Sequence, residues 1–290
     1  MIVRERVCAK VVAGRANKQI TAKVVSLFIW TPPGRHSQHH AGTIQIYSAI
    51  TRPLTPAALT AIMRQRTLKV ERLGRVEYGA ALRIQKQTER AVLTGQQPDT
   101  LLLLEHPHTL TLGRRAAQDG IIAPDEVLRK RGVTVFETNR GGKITYHGLG
   151  QIVGYPIINL SPDREDVHRF VRDLEEVLIR TMRDFEIEAF RIQGLTGAHT
   201  SPGKVAAIGV HIARWVTTHG FALNVNTDLS YFDLIIACEG EPVTSMKELL
   251  GREVEMGKVE DRIIERFAEV FEMEIGHRDT ETQRPETVTA

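Results

Sequence analysis

The stretch IVGYPIINLSPDREDVHRFVRDLEEVLIRTMRDF, Ile152 to Phe185, passes from one kind of element to another within a few residues. Ile152 to Leu160 is a short apolar run rich in β-branched residues, the pattern of a strand covered on both faces. Ser161-Pro162 then offers an N-cap followed by proline at the first helical position. Beyond it Val167, Phe170, Val171, Leu174, Leu178 and Phe185 keep one face of a helix apolar. A buried strand feeding an amphipathic helix asks for a sheet with helices packed on it.

The same alternation extends outward. EYGAALRIQKQTERAVLT, Glu77 to Thr94, has helical spacing and ends at Gly95, with Pro98 beyond; TLLLLEHP then reads as a buried strand running into a loop. Val205 to Asn226 reads as two strands joined by a short turn, and Lys258 to Phe271 as a final amphipathic helix. Strands separated by helices, without repeats or a dividing linker, predict one α/β or α+β domain over residues 63–275, followed by a polar, frayed tail over 276–290. Residues 1–62 lack sustained periodicity, and TPPGRHSQHHAG is dominated by turn formers and histidines. They read as a disordered basic arm, as an Arg-rich targeting segment, or as the product of a start assigned too early, with Met63 the true first residue.

Charge follows the same division. Residues 1–62 hold eight Lys/Arg against one acid, and the formal total of +3 leaves the remainder at −4. A slightly acidic body gives no reason to expect a nucleic-acid partner. The longest apolar runs are too short to span a bilayer. Two cysteines in unlike surroundings, Cys8 and Cys238, do not suggest a disulfide framework and point to a reducing compartment, with the cytoplasm expected before an organelle matrix.

Three features could carry chemistry. RGGKITYHGLGQIVGYP, Arg140 to Pro156, sets five glycines around Tyr146-His147. That pattern serves equally for a pair of tight turns or for the wall of a narrow ligand channel. It matches neither GxGxxG nor GxxxxGK[ST], so phosphate binding of either kind is not supported. Lys204, in SPGKVAAIG, stands at the edge of an apolar strand, where it is either solvated or folded into a pocket as a proton carrier. Cys238, in DLIIACEGEPVTS, is either a buried structural residue or a nucleophile activated by a lysine or by a histidine such as His147 or His219. No CxxC, HExxH or similar set predicts a metal site.

Taken together, LLLLEHPHTLTLGRR, RGGKITYHGLGQIVGYPIINL, GLTGAHTSPGKVAAIGVHIARWVTTHGFALNVNTDLSYFDLIIAC and VTSM, in that order, closely resemble the lipoyl(octanoyl) transferases. The resemblance runs from about residue 70 to about residue 272. It implies the α/β catalytic fold of biotin and lipoate protein ligases, a mixed sheet flanked by helices, and transfer of an octanoyl group from acyl carrier protein to a lysine of an apo-lipoyl domain. The acceptors would be E2 subunits of 2-oxoacid dehydrogenases or the glycine-cleavage H protein. By the same resemblance Cys238 would carry the acyl thioester, and Lys204 would be its acid and base, tuned below its solution pKa. Arg140, Gly141, Gly142, Lys143, Ile144, Thr145, Tyr146 and His147 would line the acyl pocket, completed by Ala207, Ile208, Gly209, Gly220, Phe221 and Ala222. A bulky residue at Gly142 should shorten the accepted chain. No ATP and no metal are expected, because the donor is already a thioester on phosphopantetheine.

His199 stands where many members carry an aromatic residue, Leu149 replaces a common proline, and CEGEPVTS differs from the CGI type. Other readings are an ATP-dependent lipoate or biotin ligase, an amidotransferase between lipoyl domains, and a silent lipoyl-domain binder. The first lacks a GRGRxGR-like loop here, and the last would be marked by loss of Cys238 or Lys204, both of which are present.

Overall fold

The computed structural model describes residues 11–16, 19–24, 66–117, 120–236 and 241–276. The chain divides into two units between Arg64 and Gln65. In the first, β1 (Val11–Ala16) and β2 (Gln19–Val24) pair antiparallel, with Ala16 opposite Gln19. A hairpin here departs from the expectation of no strand pattern. Ile20, Ala22 and Val24 do alternate with polar residues, but the partner VVAGRA has no such period, so half of the hairpin carries no signal.

The second unit opens with β3 (Arg66–Arg75), α1 (Tyr78–Leu93) and β4 (Asp99–Glu105). A smaller layer follows: β5 (Thr109–Leu112), α2 (Asp125–Lys130), β6 (Thr134–Glu137) and β7 (Ile144–His147). The chain returns through β8 (Gln151–Ile157), α3 (Val167–Arg183), β9 (Phe190–Ile192), β10 (Leu195–Thr200), β11 (Gly203–Ala213) and β12 (Val216–Asn224). It closes with a 3-10 helix (Leu229–Leu234), α4 (Met246–Leu250), α5 (Met256–Phe271) and β13 (Met273–Ile275).

Eight strands form one mixed sheet in the order β13-β3-β4-β8-β12-β11-β10-β9, parallel over the first three and antiparallel from β4 onward. Alternation along β4 sorts its leucines. Leu101 and Leu103 pack with Leu174 and Leu178 of α3 and Ile263 and Phe267 of α5, while Leu102 and Leu104 pack with Ala81 and Val92 of α1. Fully buried, each leucine contributes roughly 2 kcal/mol as an upper figure. That double coverage is why TLLLL reads as an unbroken apolar run. The small sheet β6-β5-β7 has its own core around Leu110, Leu128, Tyr146 and Leu234.

Helix α3 begins at Val167, not at Pro162 as the sequence suggested. The Asp166 carboxylate accepts the Arg169 N–H as N-cap, and Ser161–Asp163 form a turn. Arg164, inside this connection, is buried against the end of α5, where it donates to the Phe271 carbonyl and pairs with Glu272. That tertiary anchor holds residues 161–166 off the helix.

Candidate active site

Lys204 is the second residue of β11, and the solvated reading does not apply: its side chain is only 9% exposed. Two backbone bonds fasten this point to the segment after the 3-10 helix. Lys204 N–H donates to Pro242 O at 2.8 Å, and Thr244 N–H donates to Lys204 O at 3.0 Å. Gly203 fits there because it lacks a side chain: a Cβ would lie 2.5 Å from Pro242 O. Lys204 Nζ stands 2.7 Å from Glu241 Oε2, an ion pair not aligned as a hydrogen bond. The other oxygen, Oε1, lies 3.6 Å from Nε2 of buried His199 on β10.

Around the ammonium, Thr145, Gln151, Ala207, Ala222, Asn224, Phe232 and Val243 enclose a small cavity. Its polar wall is wired by amides. Gln151 Nε2 donates to Tyr146 O and Asn224 Oδ1, Asn224 Nδ2 donates to Thr244 O, and His147 Nδ1–H donates to Gln151 Oε1. Strands β7, β8 and β12 are thereby tied to the segment that follows Cys238. Satisfied buried networks of this kind fix one geometry.

Ile144, Thr145, Ala207 and Ala222 also line a second cavity, which continues over the backbone of Gly142, Gly209 and Gly220 to Tyr78, Val153, Tyr155, His147 and His219. Gly220 lets strands approach: a Cβ there would sit 2.1 Å from Gly154 O. Gly142 has φ +89°, a conformation that L side chains rarely adopt. Arg140 crosses beneath, its guanidinium donating to Thr111 O, Thr111 Oγ1 and Gly141 O.

Three buried histidines gather at the far end. Burial pushes His106 down to about 4; its Nδ1–H donates to Val76 O, so Nε2 accepts from the Tyr155 hydroxyl. Burial, then the charges of His106 and Arg140, hold His147 well below the usual range. Burial, then Arg140, lowers His219 to about 3. All three are neutral near pH 7, and His147 and His219 line the cavity together with Tyr78 and Tyr155. His199 too is lowered, by burial and then by Lys204.

Arg140, Gly142, Lys143, Ile144, Thr145, His147, Ala207, Ile208, Gly209, Gly220, Phe221 and Ala222 all line the second cavity. Gly141 and Tyr146 do not. Strand alternation turns Tyr146 away from Thr145 and His147, into contact with His108, Tyr231 and Phe232. Gly141 is held against β11 by its N–H bond to Val210 O. His147 and His219, weighed as partners of a cysteine, border the second cavity and not the one holding Lys204. Cys238 and Cys8 lie outside the described residues. Tyr78, Tyr155, Gln151, Asn224 and Glu241 were not singled out from sequence. Tyr78 looks like any core residue of a helix, whereas amides at the edges of buried strands were a usable signal. Among the described residues no group of three or more His, Cys, Asp or Glu is placed to hold a metal ion, and no helix is long and apolar enough to cross a membrane.

A family model described as lipoyl protein ligase A/B catalytic domain matches residues 77–268. Relatives named octanoyltransferase include one from Solibacter usitatus, 49% identical over 207 residues that cover 71% of this chain and 94% of the relative. Another, from Geobacter metallireducens, is 42% identical over 223 residues, covering 75% and 100%. Among solved structures, a bi-partite lipoate protein ligase from Thermoplasma acidophilum superposes with TM-score 0.59 at 16% identity, over 74% of this chain and 87% of that one. A lipoate-protein ligase A bound with ATP gives TM-score 0.59 at 16% identity, over 74% and 88%. At such identity these two define the fold alone, that of lipoate ligase catalytic domains. The chain belongs to the lipoyl protein ligase A/B catalytic domain family and, within it, to the octanoyltransferases, which are acyltransferase enzymes.

Proposed function

We propose that this acyltransferase takes octanoate as a thioester from the phosphopantetheine of acyl carrier protein, holds it on Cys238, and passes it to a lysine of an apo-lipoyl domain, on an E2 subunit or a glycine-cleavage H protein. The observation that carries the reading is a buried Lys204 in a cavity that shares Ile144, Thr145, Ala207 and Ala222 with a second one, which runs over bare backbone to Tyr78 and Tyr155. In the first half-reaction the Cys238 thiolate attacks the thioester carbonyl, the bond to the phosphopantetheine sulfur breaks, and Lys204 gives that sulfur a proton. In the second the acceptor amine attacks, the Cys238–acyl bond breaks as the amide forms, and the amine's proton returns to Lys204. The donor thioester supplies the activation, so the scheme needs no nucleotide and no metal.

The octanoyl chain would lie against Ala207, Ala222, Val153 and the backbone of Gly142, Gly209 and Gly220, with its methyl end toward Tyr78 and Tyr155. The catalytic unit is proposed to span residues 63–275; support comes from the family match at 77–268, which leaves residues 1–62 outside. The test is intact mass after incubation with octanoyl-acyl carrier protein and no ATP, before and after addition of an apo-lipoyl domain. An octanoyl adduct mapping to Cys238, absent in Cys238→Ser and chased to the lipoyl lysine, is the expected result. Modification only with free octanoate and ATP would overturn it in favour of a ligase, and an adduct acquired only from an octanoylated lipoyl domain would favour an amidotransferase.

A further inference from the structure

Glu241 has no task in that scheme, yet it is the residue closest to the lysine's charge. Its side chain is 17% exposed, one oxygen lies 2.7 Å from Lys204 Nζ, and the other faces His199, which is 2% exposed. The carboxylate and the ammonium come from adjacent backbone, since Lys204 bridges Val243 as a parallel pair. A buried ion pair is a poor device for stability, because desolvation offsets most of the attraction. Its placement on a reacting lysine is better explained by control of that lysine. We infer that Glu241 is a positioning residue for Lys204, one oxygen fixing the ammonium and the other facing His199, so that the proton given up in the first half-reaction is returned to the same place in the second.

The inference rests on the proposed acyl transfer. The charged and titratable surroundings are His199 of β10, with Glu175 of α3 behind it, and Asp233 and Glu248, which line the groove next to Glu241; Cys238 precedes Glu241 by three residues. Glu175 is already engaged, accepting the Gly197 N–H and pairing with Arg191. Glu248 accepts from the Thr244 hydroxyl. Glu241 is therefore the carboxylate that faces the Lys204 ammonium, from less than 3 Å.

The consequence has a direction. Amide formation needs Lys204 free to accept a proton, so its rate rises with pH through a limb. Glu241→Gln removes the negative charge 2.7 Å from Lys204 Nζ and should move that limb to lower pH. A merely structural role would lower the plateau and leave the limb where it is. The experiment pre-loads the full chain with octanoate from octanoyl-acyl carrier protein, mixes it with apo-lipoyl domain between about pH 5.5 and 10, and follows amide formation. Glu241→Gln should show the displaced limb, whereas Glu241→Asp, which keeps the charge, should stay near wild type. Glu241→Ala, read in the same way, replaces the amide variant if that variant does not fold. Superimposable limbs for wild type and the neutral variants would overturn the inference, as would an equal displacement in Glu241→Asp. Failure of the wild-type chain to load Cys238 at all would instead overturn the functional reading, before any Glu241 variant is compared.

Discussion

At the scale of single residues, the site depends on what surrounds one ammonium and one strip of backbone. Lys204→Ala removes the proposed acid and base, and should slow transfer by about 10²-fold or more, while the thermal midpoint falls because the Glu241 carboxylate is left unpaired. Single-turnover kinetics with pre-formed octanoyl-acyl carrier protein would show it; a loss below about tenfold would remove Lys204 from the mechanism. Chain length is better probed at Ala207 than at Gly142. Ala207 lines both cavities in an ordinary strand conformation, whereas a side chain at Gly142 would be strained by its φ of +89° whatever its size. Ala207→Leu should shift the kcat/KM preference from octanoyl toward hexanoyl donors by about tenfold or more, the usual value of a methylene or two in an apolar pocket. An unchanged preference would place the acyl chain elsewhere.

Among elements, the β11–β12 hairpin carries Lys204, Ala207 and Ala222 of the site, and its turn is built from residues that do not favour it. Arg214 and Trp215 have φ of 52° and 62°, yet the tight connection between right-twisted strands asks for left-handed residues such as Asn-Gly. Arg214→Asn should stabilise the protein by up to about 1 kcal/mol in denaturant unfolding, with no change in transfer rate. A destabilised variant would show that the 70% exposed Arg214 side chain, 3.9 Å from Glu89, matters more than its backbone. Legibility differs between elements for the same local reasons. α1 and the β11–β12 pair were readable because each shows an unbroken period. The start of α3 is not legible, because Ser161-Pro162 is a good local helix signal that the buried anchor of Arg164 overrides.

On the scale of the molecule, the buried histidines set the response to acid. His106 and His219 are lowered to about 4 and about 3, while an unfolded histidine titrates near 6.5. The unfolded chain therefore binds protons that the native chain refuses, so stability is fully present above about pH 6.5 and is lost as pH falls toward 4 and below. For His106 the loss is roughly 3 kcal/mol across that window. Urea unfolding at several pH values should show a slope between pH 6.5 and 4 that is shallower in His106→Gln by about 1.4 kcal/mol per pH unit. An unaltered slope would mean that His106 titrates in the fold as it does in water.

By itself the sequence determined the alternation of strands and helices, the apolar faces, the glycine-bordered segment and the lysine and cysteine offered for chemistry, because these depend on local period, caps and side-chain type. Only the tertiary structure decided which residues meet. Strand pairing sets β8, β12 and β11 side by side, and packing of the small sheet brings β7 residues to the same cavities, turns Tyr146 out and Tyr78 in, and closes Glu241 on Lys204. Contacts of that kind are set by sheet order, register and the burial of both faces, and those quantities are properties of the packed chain that no local window of residues contains.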